Sequence, residues 1–442
     1  MNSANPTTET THYDVCIIGG GAAGMMAAGR AVERGLSVCI LEKNDQLGKK
    51  LLITGGGRCN ITNAEYDTHA FLSKLGKTGH FLHSTFAQFD VKSTFAFFES
   101  KGLELKIEEF KRAFPADDKS ASVLRVLELR LRKVAIRTSA QVTGFIAEKK
   151  SAANTDAKSD AKKEREPGTI TGARLKNGEV VRASHFILAT GGTSHPETGS
   201  TGDAYAWLKE IGHTVIIPEP SLVPIAIRDP WVKELQGITL SSAKLTVFQE
   251  NKKQLTKKGR LLFTHFGISG PTVINMSRDV GELLKWGEVD IEVDLLPDKD
   301  YAMLNAMLQE LFDKNKNKLF KNCITEIIPG KTASVVTRLA GINPDTAINS
   351  ITREERLKLV ETIKHMKMKV ENLLGPDASI VTSGGVACEE VDFKTMRSRL
   401  YPNLLFTGDI LNIERPSGGY SLQICWSTGW VAGSAIEVPE VE

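Results

Sequence analysis

The sequence predicts an α/β protein in which one parallel-sheet domain, built from both chain ends, is interrupted by an inserted domain of β-barrel and helices. Three observations lead there. Residues 13–42 read as strand, glycine turn, helix and strand. Beyond about residue 213 alternating runs such as 245–249 and 289–293 take over, the period of antiparallel strands. From about residue 379 the short buried runs ending in small residues return. The expected organisation is a disordered tail over 1–12, a first α/β part over 13–212, the insertion over 213–378 and a second α/β part over 379–442.

Taken in order, Tyr13–Ile18 is a short apolar run, and Gly19-Gly20-Gly21-Ala22-Ala23-Gly24 follows at once. Small, helix-favouring residues continue to Arg34, Gly35 stands where a helix C-cap belongs, and Leu36–Leu41 is a second strand ending on Glu42. A second glycine cluster, GKKLLITGGGRCNITN, occupies 48–63. Residues 64–137 read as mostly helical, with Ser122–Lys133 the clearest helix, and Gln141–Ala147 reads as a strand. Lys149–Pro167 is charged and poor in apolar residues, the composition of a solvated loop. Asn177-Gly178 joins Thr171–Leu175 to Glu179–Ala183 as a tight hairpin, and the buried run His185–Leu188 ends in Ala189-Thr190-Gly191-Gly192. A helical stretch rich in Lys and Asn spans 301–340. The closing part holds Ser379–Val386, Leu404–Phe406 running into Thr407-Gly408-Asp409, a glycine turn at Ser417-Gly418-Gly419 and a helix over Tyr420–Ile436.

Composition excludes several classes. Apolar residues make up 41% and charged residues 25%, which is ordinary for a globular chain. Lys and Arg number 56 against 53 Asp and Glu, a net charge of +3, so bulk charge does not tie this protein to nucleic acid. No apolar run approaches the roughly 20 residues of a membrane span. The polar start, MNSANPTTETTH, lacks the pattern of a signal peptide, and a cytoplasmic protein without membrane contact is expected. The six cysteines are scattered with no CxxC and no Cys/His cluster, which points away from disulfides and metal sites.

Gly19, Gly21 and Gly24 form GxGxxG directly between a strand and a helix. The first glycine permits the tight turn, the second lets a pyrophosphate approach the backbone, and the third permits close helix–strand packing. The helix N-terminus offers free N–H groups to the phosphates, and Glu42 is placed to accept hydrogen bonds from ribose hydroxyls while disfavouring a 2′-phosphate. The layout favours FAD over NAD, because the α/β signal stops and resumes instead of completing one continuous sheet. Ala189–Gly192 and Gly408-Asp409 end later strands in small residues that let an extended dinucleotide pass, with Asp409 available to a ribityl hydroxyl.

The segments GGGAAG (19–24), KKLLITGGGRCNITN (49–63), ATGG (189–192), LLFTHFGISGP (261–271), SGGV (383–386), LLFTGDILNI (404–413) and SGGYSLQ (417–423) occur in an order similar to one family. The chain resembles the BaiN/aminoacetone-oxidase-like FAD-binding flavoproteins of the two-dinucleotide-binding-domain superfamily, from about Tyr13 to Gly433. It departs from them in the 149–167 insertion and in Asp409, where many relatives carry Glu. The resemblance implies a split Rossmann-like FAD-binding domain with an inserted barrel-plus-helical domain. It places Thr54–Asn60 against the isoalloxazine side and Gly418–Gln423 at its pyrimidine end. It extends the cofactor set to Ala22, Ala23, Lys43, Lys50, Leu51, Gly57, Arg58, Asn60, Val142 (an adenine contact through strand backbone), Thr190, Gly191, Gly408, Gly419, Tyr420 and Ser421.

Two residues are candidates for chemistry. Arg58 offers positive charge to reduced flavin or a grip on a substrate oxygen, with a plain ion pair as the alternative. His265, in FTHFGISGP, can deliver a proton at neutral pH. Cys59 has no partner cysteine nearby and reads as structural. The expected function is FAD-dependent oxidation or reduction of a small organic substrate, by C=C reduction or amine- or ketone-type oxidation. The alternatives are dihydrouridine formation in ribosomal RNA, for which Lys252, Lys253, Lys257, Lys258 and Arg260 with Lys314, Lys316, Lys318 and Lys321 give basic stretches, and a flavin-binding protein without turnover. A second nucleotide fingerprint is missing from the sequence, so NADH and NADPH should be poor reductants, with an apparent KM near or above about 1 mM. Stopped-flow bleaching of the flavin checks this, and saturation at micromolar NAD(P)H contradicts it.

Overall fold

The computed structural model describes residues 12–148, 167–221, 223–374 and 381–438. The proposed tail over 1–12, apart from His12, and the proposed loop over 149–167, apart from Pro167, lie outside the described residues. By contacts the chain divides into two compact units, Met1–Pro220 with Val381–Glu442, and Ser221–Ile380.

The first unit is organised by a nine-stranded sheet. Its parallel centre runs Ala135–Arg137, β2 (Val38–Leu41), β1 (His12–Ile18), Val180–Leu188 and Leu404–Phe406. Strands covered on both faces must be apolar throughout, and all four residues of β2 are buried, as are Val15–Ile18 of β1. The second hairpin arm and the run 185–188 form one continuous strand, Val180–Leu188, which pairs antiparallel with Thr169–Leu175, itself paired antiparallel with Val142–Glu148. The strand Val215–Ser221 pairs with Val381–Val386.

Helix α1 (Ala22–Glu33) is rich in alanine and glycine because another helix lies against its backbone. A Cβ at Gly429 of the last helix, Tyr420–Ser434, would sit 2.5 Å from the Ala23 carbonyl oxygen, and one at Gly433 would sit 2.5 Å from that of Ala27. Helical turns predominate in 64–137, but the strands Leu105–Glu108, Arg112–Pro115 and Ala135–Arg137 lie among them. Thr62–Asn63, Arg112–Pro115 and Leu105–Glu108 form a small antiparallel sheet. In the helical stretch before Leu105, Phe86, Phe89, Phe97 and Phe98 are buried and Phe95 is half-buried.

The second unit contains a closed barrel in the order Ile225–Ile227, Gly267–Ser269, Lys252–Phe263, Thr239–Gln249, Asp290–Asp294 and Met366–Leu373. The last strand shows the alternation that makes it half-buried: Met366, Met368 and Val370 point inward, while Lys367 and Lys369 are exposed. Helices Tyr301–Lys314, Gly330–Ala340 and Arg353–Lys364 add Leu304, Leu308, Val336, Leu359 and Ile363 to the same core. The fold is thus a Rossmann-type α/β domain split by a barrel-plus-helical insertion. Among the described residues no helix is long and apolar enough to cross a membrane.

Gly429→Ala should force α1 and the last helix apart and lower stability by about 1–3 kcal/mol, the usual range for overpacking. Denaturant unfolding of wild type and variant measures the difference.

Candidate functional site

Parallel strands bring their carboxyl ends to one edge, and four of the predicted segments meet there. Backbone bonds stitch them: Gly19 N–H donates to Leu41 O (2.9 Å), Ala189 N–H to Ile18 O (2.8 Å) and Thr407 N–H to Leu188 O (3.0 Å). The three fingerprint glycines differ in what surrounds them. Gly19 adopts φ +104°, and a Cβ there would lie 2.5 Å from the Ala189 carbonyl oxygen. A Cβ on Gly24 would land on the Gly19 carbonyl oxygen, whereas one on Gly21 would meet nothing within 4 Å. Gly21 precedes Ala22 and Ala23 at the start of α1, whose first turn has neither a side-chain cap nor an acidic residue. Open space in front of uncapped N–H groups is what a phosphate requires.

Glu42 is 7% exposed at the end of β2. Its carboxylate accepts from Gly20 N–H (2.7 Å), Asn44 N–H (2.8 Å) and the Asn44 side-chain amide (2.7 Å), which orient it rigidly. Lys43 is committed elsewhere: its ammonium donates to Thr201 Oγ1 (2.5 Å) and pairs with Asp203 (3.0 Å). Lys50, on the helix Lys49–Ile53 (α2), donates to Ser194 O (2.6 Å) and Ser194 Oγ (3.1 Å). Burial pulls its pKa down, and the Asp409 carboxylate is the largest opposing influence. Asp409 accepts from Ser421 Oγ (2.9 Å) and lies 3.2 Å from Arg415 Nε. Thr428 Oγ1 accepts from Gly408 N–H (3.0 Å), which fixes the turn that presents Asp409. Gly191, at φ +76°, faces Ser200 Oγ, while Thr190 Oγ1 is buried without a partner.

The second glycine cluster is tied to the start of the last helix. Gly55, Gly56 and Gly57 take φ of +61°, +69° and +85°, a left-handed run that side chains resist. With its amide oriented to suit its neighbours, Asn60 donates to Thr62 O (3.1 Å) and Ala113 O (3.2 Å) and accepts from Gly419 N–H (3.0 Å). Tyr420 packs its ring 4.6 Å from Phe71, a core contact. Leu51 and Val142 are likewise buried, so only their backbones are available to a ligand. Val142 pairs with Leu175 at the start of its strand.

Arg58 forms an ion-pair cluster with Asp118 (Nε to Oδ1, 2.9 Å) and Glu108, and stacks 4.2 Å from the Phe114 ring. His265 is exposed on the turn between two barrel strands, beside Phe266. Cys59 is fully buried, and burial pushes its thiol pKa up, away from thiolate chemistry. Among the described residues no His, Cys, Asp and Glu cluster could hold a metal ion. Sequence reasoning missed Arg415, whose guanidinium is buried and donates to Ile413 O (2.7 Å), Gly408 O (3.1 Å) and Leu411 O (3.1 Å). It also missed Tyr205, whose hydroxyl is buried without a partner. Nothing in NIERPS or TGDAYAW marks either residue by type or spacing.

The open Gly21 turn, the uncapped helix start, the oriented Glu42 and the unpartnered hydroxyl of Thr190 fit a dinucleotide along this edge. Fold and site together define an FAD-dependent flavoprotein oxidoreductase. The family profile described as HI0933-like protein Rossmann domain matches residues 13–435, and the chain belongs to that family. A 3-dehydro-bile acid delta(4,6)-reductase of Clostridium scindens is 31% identical over 95% of this chain and 98% of its own length. A ribosomal RNA dihydrouridine synthase of Escherichia coli is 29% identical over 95% and 96%. Among solved structures, a 3-ketosteroid delta1-dehydrogenase from Sterolibacterium denitrificans shares the fold with a TM-score of 0.52 at 15% identity, covering 97% of this chain and 99% of that one.

Gly21→Val should abolish flavin binding yet leave apoprotein stability within about 1 kcal/mol, because its φ of −82° and open surroundings accept a side chain. Gly19→Val should cost more than about 3 kcal/mol, strain and overpacking combined. Flavin absorbance and denaturant unfolding of both variants check the contrast.

Proposed function

We propose that this flavoenzyme reduces a carbon–carbon double bond conjugated to a carbonyl in a small organic molecule. One observation carries the reading. Two curated relatives, 31% and 29% identical along nearly the whole chain, are named for different substrates. Both names nevertheless describe adding two hydrogens across such a bond. When bound, reduced FAD supplies a hydride. The substrate accepts it at the carbon β to its carbonyl, the π electrons move to the carbonyl oxygen, and a proton then closes the α carbon.

The chain's own residues divide the remaining work. The α1 start holds the pyrophosphate and Glu42 the ribose, which leaves Asp409 and Ser421 to the ribityl stretch. The last helix begins without a side-chain cap or an acidic residue in its first turn, so its positive end favours the negative charge of a reduced flavin. His265 is assigned the proton, since its exposed imidazole carries ring nitrogens able to hold and hand on a proton. Arg58, held by Glu108 and Asp118, shapes the glycine loop and does not touch substrate in this reading.

A second reading, with uridine in RNA as substrate, is favoured by the strand Lys252–Phe263, on which Lys252, Lys253, Lys257, Lys258 and Arg260 are exposed. One experiment separates the two. Enzyme reduced with dithionite is mixed anaerobically with a 3-oxo-4-ene steroid, a simple cyclic enone or a ribosomal RNA fragment. The enones should reoxidise the flavin and gain two hydrogens by mass. Faster, salt-sensitive reoxidation by RNA supports the second reading instead, and reoxidation by none of them overturns both. His265→Asn should slow the reaction about 10²-fold at unchanged FAD affinity, and an unchanged rate removes His265 from it.

A further inference from the structure

We infer that the Tyr205 hydroxyl is a direct hydrogen-bond donor to the ribityl–pyrophosphate stretch of bound FAD. Tyr205 lies in the first turn of the helix Asp203–Glu210, is 7% exposed, and its phenolic oxygen is buried with no hydrogen-bond partner. A buried hydroxyl left unpaired is costly, and phenylalanine would fill the same space without that cost. The oxygen is therefore explained by something that binds.

Its position says what. The ring packs under Gly202, where a Cβ would lie 3.2 Å from Tyr205 Cδ2 and 2.6 Å from Thr193 Cγ2. The phenol thus stands beside the loop that follows Val180–Leu188, on the carboxyl edge of the sheet. Arg415 and Asp409, at the end of the neighbouring strand, both act on it electrostatically. Burial raises the phenol pKa, so the group stays protonated and is a donor. The same edge carries a second unpartnered hydroxyl, that of Thr190. Two orphaned hydroxyls on this edge are completed together by an acceptor-rich chain of phosphate and ribityl oxygens.

The inference rests on FAD as the occupant and is independent of the substrate. Its test is Tyr205→Phe, with FAD affinity measured by titrating apoprotein and thermal stability measured with and without FAD. The variant should bind FAD about tenfold more weakly, a loss of 1.4 kcal/mol. Its apoprotein Tm should equal or exceed that of wild type, because an unsatisfied group is gone. Unchanged affinity overturns the inference. So does an apoprotein Tm that falls as far as the holoprotein Tm, since that outcome belongs to a hydroxyl bonded within the protein or to a buried water. A wild-type apoprotein that takes up no FAD overturns the inference and the cofactor assignment together, whereas loss confined to the variant leaves the cofactor in place.

Discussion

The constraint on which the rest depends is a contact between backbones. The Gly19 carbonyl fills the space a side chain on residue 24 would need, and the Ala189 carbonyl does the same beside Gly19. Only glycine at both positions lets α1 start this close to the ends of β1 and Val180–Leu188. That closeness aims the first N–H groups of α1 across the edge and leaves the space over Gly21 open. Were either contact relaxed by a side chain, helix, strand and loop would separate, and the phosphate cradle would lose its depth. The fingerprint thus contains two structural glycines and one functional one, although all three look alike in sequence.

A second set of contacts ties the chain's ends together. Gln423 is fully buried and accepts from both Thr62 Oγ1 (2.6 Å) and Thr94 Oγ1 (2.9 Å), while its amide donates to Ser427 Oγ (3.0 Å). Trp426 donates from Nε1 to Ile61 O (2.9 Å). A polar network in the interior is stabilising only when every member is satisfied, and here the members come from segments hundreds of residues apart. The last helix cannot shift without breaking it, so the glycine loop at 55–57 and the helix start at 419–421 keep a fixed relation. Not every such network serves chemistry. His213 joins Glu390 (2.7 Å) and Ser398 Oγ (2.9 Å) in the order of a nucleophile triad, but Ser398 is 2% exposed and accepts from two backbone N–H groups. It anchors the chain between Val391 and Leu404 and has no access to substrate.

Much of this was legible in the sequence where local chemistry dictates local structure. The GxGxxG turn, the acid ending β2 and the alternating runs at 245–249 and 289–293 each carry their own signal, because period and glycine spacing are set by backbone geometry. The small sheet that Leu105–Glu108 and Arg112–Pro115 form with Thr62–Asn63 carries no such signal, because its strands have four, four and two residues, too few to show a period. Arg58 illustrates a different limit. Its type suggested either flavin chemistry or an ion pair, and only folding brings Glu108 and Asp118 to it from distant positions. Arg415 and Tyr205 gave no signal, since burial of a long side chain is decided by what packs over it.

The energetics of the site follow from these placements. Lys50 and Arg415 bring positive charge to the edge, yet each is already bonded to carbonyl oxygens, and Arg415 also lies against Asp409. Little of that charge is free to neutralise a bound pyrophosphate, so backbone N–H groups and neutral hydroxyls must do more of the binding. Such donors lose little by waiting in a dry cleft compared with an unpaired ammonium, whose burial is far more expensive. They also hold one geometry, because Thr190 and Tyr205 are fixed by the strand end and helix they belong to. Along this edge the hydroxyls of Thr190 and Tyr205 carry the cost of having no acceptor within the protein. Occupation by the dinucleotide relieves it, and stability and cofactor affinity become two readings of the same contacts. At 100-fold saturation such linkage adds about 2.7 kcal/mol to the folded state. The two ends of the chain, which meet at this edge and along the contact of α1 with the last helix, are thereby held further by the dinucleotide.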